Sequence, residues 1–367
     1  MTRFTLLHQI INHIPKQVNM SASFFKTCLK FSLGLIFMLF LQSISAQTDF
    51  GQLEKIIKQN EKNLGKDHVV VIQKDGKNIF LKDTEDFKLK IPAPLGNSSK
   101  WLTAALVMIF VDEGKIKLDD PVSKYVPVFG KYMKGYITIR HCIAQTTGLD
   151  TDATGIVKFT QKSKFNTLEE EMEFFASKKL IVDNPGEAFS DGSVGMNMAG
   201  RVLEVITKKT FDRVAQEKLF RPLGMKTASF YDEGGKAPNP SSGASCSAFD
   251  YLNFMQMIMN KGMFNGKKVL SESAIEVLLN NQYPEARVRY NPDLTKGWNY
   301  ASGCWMEEEN GNGKGIVYSG ASAQGVWPWI DLKRKYIGIV LPASPMSFQK
   351  RDLFTQIKSA VESALEQ

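Results

Sequence analysis

Two adjacent serines followed by a lysine are the residues of this chain whose types and spacing first suggest chemistry. Ser98 and Ser99 precede Lys100 at the start of a long apolar stretch. A serine hydroxyl accepts an acyl group when a neighbouring base takes its proton, and a lysine amine can be that base. Serines are also common at helix starts, where the hydroxyl caps a backbone N–H group. By themselves, these three residues therefore favour serine-based acyl transfer only weakly.

The element that must position these side chains is a predicted helix from about residue 98 to about residue 113. Gly114 is the glycine expected just after a helix end. The apolar residues of this helix fall on one side, as they do in a helix that packs on a core. They are Leu102, Leu106, Ile109 and Phe110. Lys100 is then in the first turn of a helix that packs against the core.

The patterns outside this helix predict strands at both ends of the chain and helices between them. Residues 68–73 (HVVVIQ) form a β-branched run, Asp75 and Gly76 indicate a turn, and residues 78–82 form the returning strand. Further strands are predicted at 300–307, 315–319, 325–331 and 336–341. Further helices are predicted at 53–63, 168–178, 196–207, 211–220, 251–260, 273–280 and 349–365.

This order of elements predicts an α+β fold, in which one antiparallel sheet is built from both chain ends and flanked by helices. The sheet is expected from about residues 66–90 and 298–345, with a helical lobe of about residues 98–290 inserted. Residues 47–367 would form this domain. Hydrophobic residues make up 43% of the chain and charged residues 23%, which excludes wholesale disorder. The seam between sheet and lobe is where a pocket is expected.

Five stretches in a fixed order carry a resemblance to a known family. They are residues 100–127 (KWLTAALVMIFVDEGKIKLDDPVSKYVP), 137–149 (ITIRHCIAQTTGL), 184–186 (NPG), 221–225 (RPLGM) and 318–331 (YSGASAQGVWPWID). Over about residues 50–365 the chain resembles the serine β-lactamase and penicillin-binding-protein superfamily, in its class C and esterase-like branch. The resemblance implies the β-lactamase/DD-peptidase (transpeptidase-like) fold and a site built for acyl transfer.

The first catalytic motif of that family is altered in this chain. In the family a serine opens the helix and a lysine follows three residues later, one turn away on the same face. The lysine is present as Lys100, but the serine position holds Asn97. An amide cannot be the acyl-accepting nucleophile, because its nitrogen lone pair is delocalised. Ser98 and Ser99 lie about 200° and about 100° around the helix from Lys100, so neither shares its face.

The second motif of the family, Tyr-x-Asn or Tyr-x-Ser, supplies a phenol that takes part in proton transfer. Here Asp191 stands at the tyrosine position, and Ser193 follows two residues later. If Asp191 lies beside Lys100, its carboxylate stabilises the ammonium form of the lysine. A catalytic base would instead need the neutral amine. The replacement therefore indicates an ion pair in place of a proton relay.

The third motif of the family, Lys-Thr-Gly or His-x-Gly, falls on residues 318–320. Tyr318 stands where the family has Lys or His. The resemblance also implies that Asn97, Ser193, Gly320 and Ala321 line the pocket and its oxyanion-like part. Of the four side chains expected to do the chemistry, only Lys100 is retained.

These replacements predict a secreted binding pseudoenzyme that has lost serine-hydrolase activity. Its expected partner is a cell-wall peptide, a small ester or amide ligand, or another protein, and no cofactor is expected. Two alternatives remain open. One is an active hydrolase (esterase, D-amino-acid peptidase or β-lactamase) that uses a displaced serine such as Ser98. The other is a scaffold that binds no ligand.

The first 46 residues are typical of a secretory signal. They carry four basic residues and no acidic one, and the apolar run at residues 31–41 ends at the small residues Ser43, Ser45 and Ala46. Translation could also start at Met20, and an N-terminal membrane anchor is the alternative. Eleven residues are too few to span a bilayer, which needs about 20. The expected location is the periplasm or the outside of the cell, with no stable membrane span after processing.

The charge balance argues against nucleic acid as a partner. The chain has 46 Lys and Arg against 38 Asp and Glu, a net charge of +8, and four of the basic residues are in the signal segment. The remaining net charge of +4 is dispersed, without a basic stripe interleaved with aromatics.

Cysteines and histidines are too few and too widely spaced for a metal site of the usual kinds. After processing, the cysteines are Cys142, Cys246 and Cys304, and the histidines are His68 and His141. We expect the cysteines to be small buried hydrophobic residues, although one disulfide could form in an oxidising compartment. His141 precedes an apolar helical start and is interpreted as a packing residue.

Overall fold

The computed structural model describes residues 48–151, 163–345 and 351–366. The chain divides into two compact units, Met1–Thr48 and Asp49–Gln367. All the described residues except Thr48 belong to the second unit, and the account below concerns that unit. The expected signal segment, residues 1–46, lies outside the described residues.

The strands of the described residues are short except for those at the two ends of the chain. They are β1 (His68–Lys74), β2 (Lys77–Asp83), β3 (Pro92–Pro94), β4 (Ala188–Ser190), β5 (Ser245–Ser247), β6 (Met263–Phe264), β7 (Lys267–Lys268), β8 (Arg287–Tyr290), β9 (Asn299–Tyr300), β10 (Trp305–Glu309), β11 (Gly315–Ser319), β12 (Trp327–Asp331) and β13 (Tyr336–Pro342).

The α-helices of the described residues lie mainly between the two groups of long strands. They are α1 (Gly51–Gln59), α2 (Glu61–Leu64), α3 (Ser99–Asp112), α4 (Val128–Lys131), α5 (Ile139–Ile143), α6 (Leu168–Lys178), α7 (Val194–Thr207), α8 (Phe211–Ala215), α9 (Ala248–Met259), α10 (Glu272–Leu278) and α11 (Arg351–Leu365). Three 3₁₀ turns, at Gly96–Ser98, Val122–Lys124 and Asp293–Thr295, and one π turn at Gln216–Phe220 complete them. Among these described helices, none is both long and apolar enough to span a membrane.

The central sheet is antiparallel and is built from both ends of the chain, as the sequence predicts. Its seven strands run in the order β2-β1-β13-β12-β11-β10-β9. The register pairs Val70 with Val340 and Trp329 with Gly338, so that the first and last strands of the chain are neighbours. Helices α3 to α10 lie between these two groups of strands in the chain and form the expected helical lobe.

Strand β1 shows why the sheet is covered on both faces. Successive side chains of a strand point to opposite faces. Val69 and Val71 belong to the core that includes α3 and the helical lobe. Val70 and Ile72 belong to a second core, which contains the apolar sides of α1 and α11. A continuous apolar run is therefore required here, because neither face of the strand meets water.

Three local expectations differ from the structure. The helix predicted at 53–63 is two helices, α1 and α2, which are separated at Asn60. The strand predicted at 300–307 is two strands, β9 and β10, because the chain turns back on itself where Ala301 N donates to the carbonyl of Cys304. Gly303 permits this turn with φ of +86°, and a Cβ there would lie 2.6 Å from the Lys100 carbonyl. The helix predicted at 211–220 is α-helical only to Ala215 and continues as the π turn.

The start of α6 is where the sequence predicts it. Thr167 is the N-cap, and its hydroxyl accepts a hydrogen bond from the backbone N–H of Glu170 at 3.1 Å. The helix runs to Lys178, the predicted end. Local capping chemistry decides this boundary, because it satisfies a donor that the helix itself leaves unpaired.

Candidate functional site

The floor of the candidate site is an ion pair between Lys100 and Asp191. Lys100 is in the first turn of α3, and Asp191 directly follows β4, held by a hydrogen bond from its backbone N–H to the Tyr290 carbonyl at 3.1 Å. Lys100 Nζ donates to Asp191 Oδ1, and the two side chains are only 4% and 5% exposed. Among the described residues, no hydroxyl group hydrogen-bonds this Nζ.

Burial makes this pair sensitive to the loss of either partner. Each charge has been removed from water, and the attraction between the two offsets the desolvation only while both are present. Lys100 Nζ donates its hydrogen bond to this carboxylate and to no hydroxyl among the described residues. The structure therefore brings together the two residues that the sequence predicts to be neighbours.

The two serines beside Lys100 are engaged elsewhere. The hydroxyl of Ser98 donates to the carbonyl of Gly320, and the Ser98 carbonyl accepts from the Tyr251 hydroxyl at 2.9 Å. The hydroxyl of Ser99 donates to the Gly96 carbonyl at 2.6 Å and accepts from a backbone N–H at 3.0 Å. Both serines are completely buried. These hydroxyl groups link the start of α3 to the surrounding backbone.

Asn97 lies in the 3₁₀ turn before α3 and is half-buried. Its backbone N–H donates to the Ser322 hydroxyl at 3.1 Å. The Ser322 hydroxyl in turn donates to Oε1 of Gln324. In the family that the sequence resembles, the N–H of the nucleophile residue is an oxyanion donor, and here that donor is paired within the protein. The Asn97 amide itself has no hydrogen-bond partner among the described residues.

Gly96 allows the loop that carries Ser322 to lie against this turn. Its φ is +55°, in the left-handed region that favours glycine. A Cβ at Gly96 would lie 2.3 Å from Gln324 Oε1 and 2.6 Å from Ser322 Oγ. No side chain fits there. The close approach of Ser322 and Gln324 therefore depends on a glycine just before the position of the missing nucleophile.

Gly320 and Ala321 form the wall opposite the start of α3. The Gly320 N–H donates to the Pro328 carbonyl at 3.0 Å, and its own carbonyl accepts from Ser98. A Cβ at Gly320 would lie 3.1 Å from the Tyr251 hydroxyl. Ala321 is buried. The glycine thus permits the close contact between β11 and the first turn of α3.

The structure does not bring the Tyr318 hydroxyl to the ion pair. Tyr318 is completely buried, and its ring lies over Gly315, where a Cβ would be 2.5 Å from the phenol oxygen. Burial raises the pKa of this phenol, and the nearby Cys304 raises it further. Tyr318 is therefore a core side chain whose phenol lies against Gly315.

Ser193 is the N-cap residue of α7 and is half-buried. Its side chain caps no backbone N–H, and among the described residues it has no hydrogen-bond partner. Ser193 lies two residues after Asp191, and Asn97 lies three residues before Lys100. The ion pair thus has one half-buried amide and one half-buried hydroxyl close to it in sequence.

Sequence reasoning missed a buried network behind Ser193. Asn197 Nδ2 donates to both carboxylate oxygens of Glu171 at 3.2 and 3.0 Å, and its Oδ1 accepts from the Ser241 N–H at 3.1 Å. Burial raises the pKa of Glu171 to about 7. Glu171 and Asn197 both lie on the buried face of their helices. The only sign of this network in the sequence is therefore a polar residue at a position where the helical pattern predicts an apolar one.

Tyr300 is a second residue that sequence reasoning missed. It is buried near the ion pair, and burial together with the charge of Asp191 raises the pKa of its phenol well above 10. A phenol with a raised pKa stays protonated at neutral pH and is not a proton acceptor.

The histidine and the cysteines of this region are structural. His141 Nδ1 accepts from the Thr138 N–H at 3.0 Å, which completes the cap of α5, and burial lowers the pKa of its imidazole to about 4. The free cysteines of the described residues are all buried. They are Cys142, Cys246 and Cys304.

Comparisons with known proteins agree with this architecture. The chain is 28% identical over 208 residues to protein flp of Staphylococcus aureus strain N315, covering 52% of this chain and 40% of that protein. The chain thus spans less than half the length of this curated relative.

Two solved structures share the fold. One is described as a "putative beta-lactamase" from Bacteroides dorei DSM 17855, with a TM-score of 0.77, 24% identity, and coverage of 87% of this chain and 100% of that one. The other is an octameric penicillin-binding protein homologue from Pyrococcus abyssi, with a TM-score of 0.66, 21% identity, and coverage of 86% and 77%.

A match to a protein-family model shows the family to which this chain belongs. The model described as Beta-lactamase matches residues 68–361, which is most of the chain and includes every residue of the site described above. The matched range contains both ends of the central sheet and the helical lobe between them. This chain therefore belongs to the β-lactamase family.

Proposed function

We propose that this chain is a β-lactamase-family protein that binds a peptide or a small ester or amide without forming an acyl-enzyme. The observation that carries the proposal is the buried ion pair between Lys100 and Asp191. Acylation needs a nucleophile next to a base that can take its proton. At this position the lysine is paired with a carboxylate, and the residue one turn earlier is Asn97.

The surroundings of the pair support the same proposal. Ser98 and Ser99 are bonded to backbone groups and do not contact Lys100 Nζ. The Asn97 N–H is paired with Ser322, so it is not available to a developing oxyanion. Preorganised N–H donors of this kind contribute about 10²–10³-fold to the rate of acyl transfer when they are present. Nucleophile, base and oxyanion donor are each replaced or occupied.

Two polar groups remain for a ligand. The Asn97 amide and the Ser193 hydroxyl are half-buried and have no hydrogen-bond partner among the described residues. An amide both donates and accepts, and so does a hydroxyl, which suits the carbonyl and N–H of a peptide or the carbonyl of an ester. We include a cell-wall peptide in the ligand class because the chain belongs to the β-lactamase family.

Covalent labelling tests the absence of acylation. We expect the purified protein to show no adduct with a fluorescent penicillin or a fluorophosphonate after a denaturing gel and intact-mass measurement. An active serine β-lactamase treated in parallel is the positive control. A stable adduct on Ser98 or Ser99 would show an active hydrolase with a displaced serine, and the proposal would be wrong.

Calorimetry tests the binding part of the proposal. We expect D-alanyl-D-alanine peptides or their esters to bind, and we expect Asn97→Ala and Ser193→Ala each to weaken binding by about fivefold, the value of one hydrogen bond. Ser177→Ala is the control, because this hydroxyl is exposed and bonds only within its own helix. Equal binding by the wild type and the three variants would place the ligand outside the candidate site.

We also propose that the protein is exported, with residues 1–46 as the signal. The basic residues before the apolar run at residues 31–41 and the small residues after it support this. Cell fractionation with an antibody to the chain, together with N-terminal sequencing, is the test. Recovery of the uncleaved chain in the cytoplasm would contradict the proposal.

A further inference from the structure

A second cavity, separate from the candidate site, lies at one end of the central sheet. Its volume is about 720 Å³, within the range of about 300–1,000 Å³ that is typical of small-molecule sites. It is bounded by the turns that join β1 to β2 and β12 to β13, by the start of β11, by the end of α9 and by α10. Asn97, Lys100 and Asp191 do not line it.

The strand register explains why these turns meet. Lys74 pairs with Tyr336, and Tyr336 pairs with Asp331, which also pairs with Val317. The end of β1, the turn after β12 and the start of β11 therefore lie side by side at the same end of the sheet. Helices α9 and α10 pack against this end and close the cavity.

The inner part of the cavity is apolar. Its lining includes Ile258, Ile275, Leu279 and Ile337, which are buried. Tyr318 also lines it and is completely buried, with a hydroxyl that has no partner among the described residues. A ligand with an apolar body would remove apolar surface from water here, at about 25 cal/mol per Å².

The sheet side of the cavity carries positive charge. Lys314 and Lys335 are exposed lining residues, and among the described residues neither has an ion-pair partner. Asp75, in the turn after β1, is the carboxylate on this side. Two ammonium groups and one carboxylate leave this side with a net charge of +1.

The helix side carries the opposite charge. Lys261 and Glu272 form an ion pair at 2.6 Å and so cancel each other. Glu276, one turn further along α10, is exposed and has no ion-pair partner among the described residues. This side therefore has a net charge of −1. The remaining lining side chains are uncharged. The charged lining residues form the rim of the cavity, which is therefore positive on the sheet side and negative on the helix side.

We propose that this cavity binds a small zwitterion with an apolar body, that is, an amino acid or short peptide with free termini. The carboxylate of the ligand would lie towards Lys314 and Lys335, and its ammonium group towards Glu276. The apolar side chain would occupy the inner part, against Ile275 and Ile337. Binding is moderate and weakens with added salt, because the charged groups are exposed and screened.

Calorimetric titration of the full chain with the dipeptide Leu-Ala tests this inference. We expect binding that is lost with N-acetyl-Leu-Ala-amide, which has the same apolar body and no terminal charges. No heat with Leu-Ala at millimolar concentration overturns the inference. Equal binding of the blocked dipeptide also overturns it, because the charged rim would then have no role.

Variants of the rim locate the ligand. We expect Lys335→Met and Glu276→Gln each to weaken binding of Leu-Ala by about fivefold. This is the largest effect that is typical of a single exposed ion pair. Lys333→Met and Glu285→Gln are the matched controls, since both are exposed residues that do not line the cavity. Binding that is unchanged in both rim variants contradicts the inference.

The candidate site near Lys100 is distinguished by a third pair of variants. Because the proposed function places peptide binding at Asn97 and Ser193, Asn97→Ala and Ser193→Ala should remove only binding at the candidate site and leave the Leu-Ala binding that depends on Lys335 and Glu276. If either of them abolishes it, the dipeptide is bound at the candidate site and the inference of a second site is wrong. Failure of the second site would leave the proposed function untouched, because the two rest on different residues.

Discussion

The backbone N–H of Asn97 donates a hydrogen bond to the hydroxyl of Ser322 at 3.1 Å, across 225 positions of the chain. This contact pairs a donor that an acyl-transfer enzyme would leave free for its oxyanion. It stands one helical turn from Lys100, which is itself paired with Asp191. Both the Asn97 N–H and the Lys100 ammonium are therefore paired within the protein.

The ion pair should be important for stability. We expect Asp191→Ala to lower the free energy of unfolding by about 3–5 kcal/mol, because it leaves a buried ammonium without its partner. Asp191→Ala combined with Lys100→Met should recover much of this loss. Urea unfolding of the wild type, both single variants and the double variant gives the coupling energy directly. Additive effects of the two substitutions would show that the side chains do not depend on each other.

Restoring the nucleophile alone should not restore activity. We expect Asn97→Ser to show no adduct with fluorescent penicillin and no hydrolysis of a nitrophenyl ester, because Lys100 Nζ remains paired with Asp191 and is not directed at the new hydroxyl. Asn97→Ser combined with Asp191→Tyr is the matched comparison, and in it we expect labelling. If Asn97→Ser alone is active, then the missing nucleophile by itself accounts for the loss.

The contact between Ser322 and Asn97 can be tested in the same background. In the Asn97→Ser/Asp191→Tyr protein, Ser322→Ala should accelerate labelling, because it frees the N–H at position 97 for the oxyanion. The cost in stability should be about 1–3 kcal/mol, because the Ser322 hydroxyl also donates to Gln324 Oε1. Ser302→Ala is the control, since its buried hydroxyl has no partner among the described residues. An unchanged or slower labelling rate would show that this N–H does not limit acylation.

Glu171 should make the protein less stable as the pH rises. Burial raises its pKa from 4.5 to about 7, so between these values the folded protein holds a proton that the unfolded chain has released. Stability from this group is therefore complete below about pH 4.5 and is lost as the pH rises to about 7, by about 3 kcal/mol. Urea unfolding at pH 5 and pH 8 measures the difference. In Glu171→Gln the difference should shrink, and an equal difference would assign the effect to other carboxyl groups.

Removing the Tyr318 hydroxyl should not lower the stability of the protein, whereas adding a side chain at the neighbouring Gly315 should lower it. We expect Tyr318→Phe to be neutral or slightly stabilising, because the buried hydroxyl has no partner among the described residues. Gly315→Ala should cost about 1–3 kcal/mol, since its Cβ would lie 2.4 Å from Tyr318 Cζ. Gly311→Ala, with no neighbour within 4 Å, is the control. Thermal unfolding distinguishes the three, and equal effects of the two glycine substitutions would contradict the close contact.

Local patterns determined much of the fold. The turn at Asp75 and Gly76, the apolar run of β1 and the cap of α6 at Thr167 each follow from short-range chemistry, and the structure has these elements where the sequence predicts them. The long helix at Lys100 is also predicted to within one residue at each end. These elements depend on neighbours along the chain, so a reading of adjacent residues finds them.

The chemistry of the site was predictable only in part. The spacing of the altered motifs predicts that Asn97, Asp191 and Tyr318 stand at the family's catalytic positions. It also predicts that Asp191 lies beside Lys100, as it does in the structure. The direction of Tyr318 did not follow. Its strand pairs with β10 through two register shifts, at Met306/Glu308 and Glu308/Glu309. Such irregularities change which way side chains point, and no local pattern shows them.

What the sequence by itself determined is the set of elements, their order and the presence of an asparagine at position 97, three residues before Lys100. Tertiary structure alone decided that Ser322 occupies the Asn97 N–H, that Ser98 bonds to Gly320, and that the far end of the sheet encloses a second cavity. Each of these joins segments far apart in the chain. Hydrophobic periodicity indicates only which face of a helix or strand is buried. Which other element packs against that face depends on how the whole chain folds.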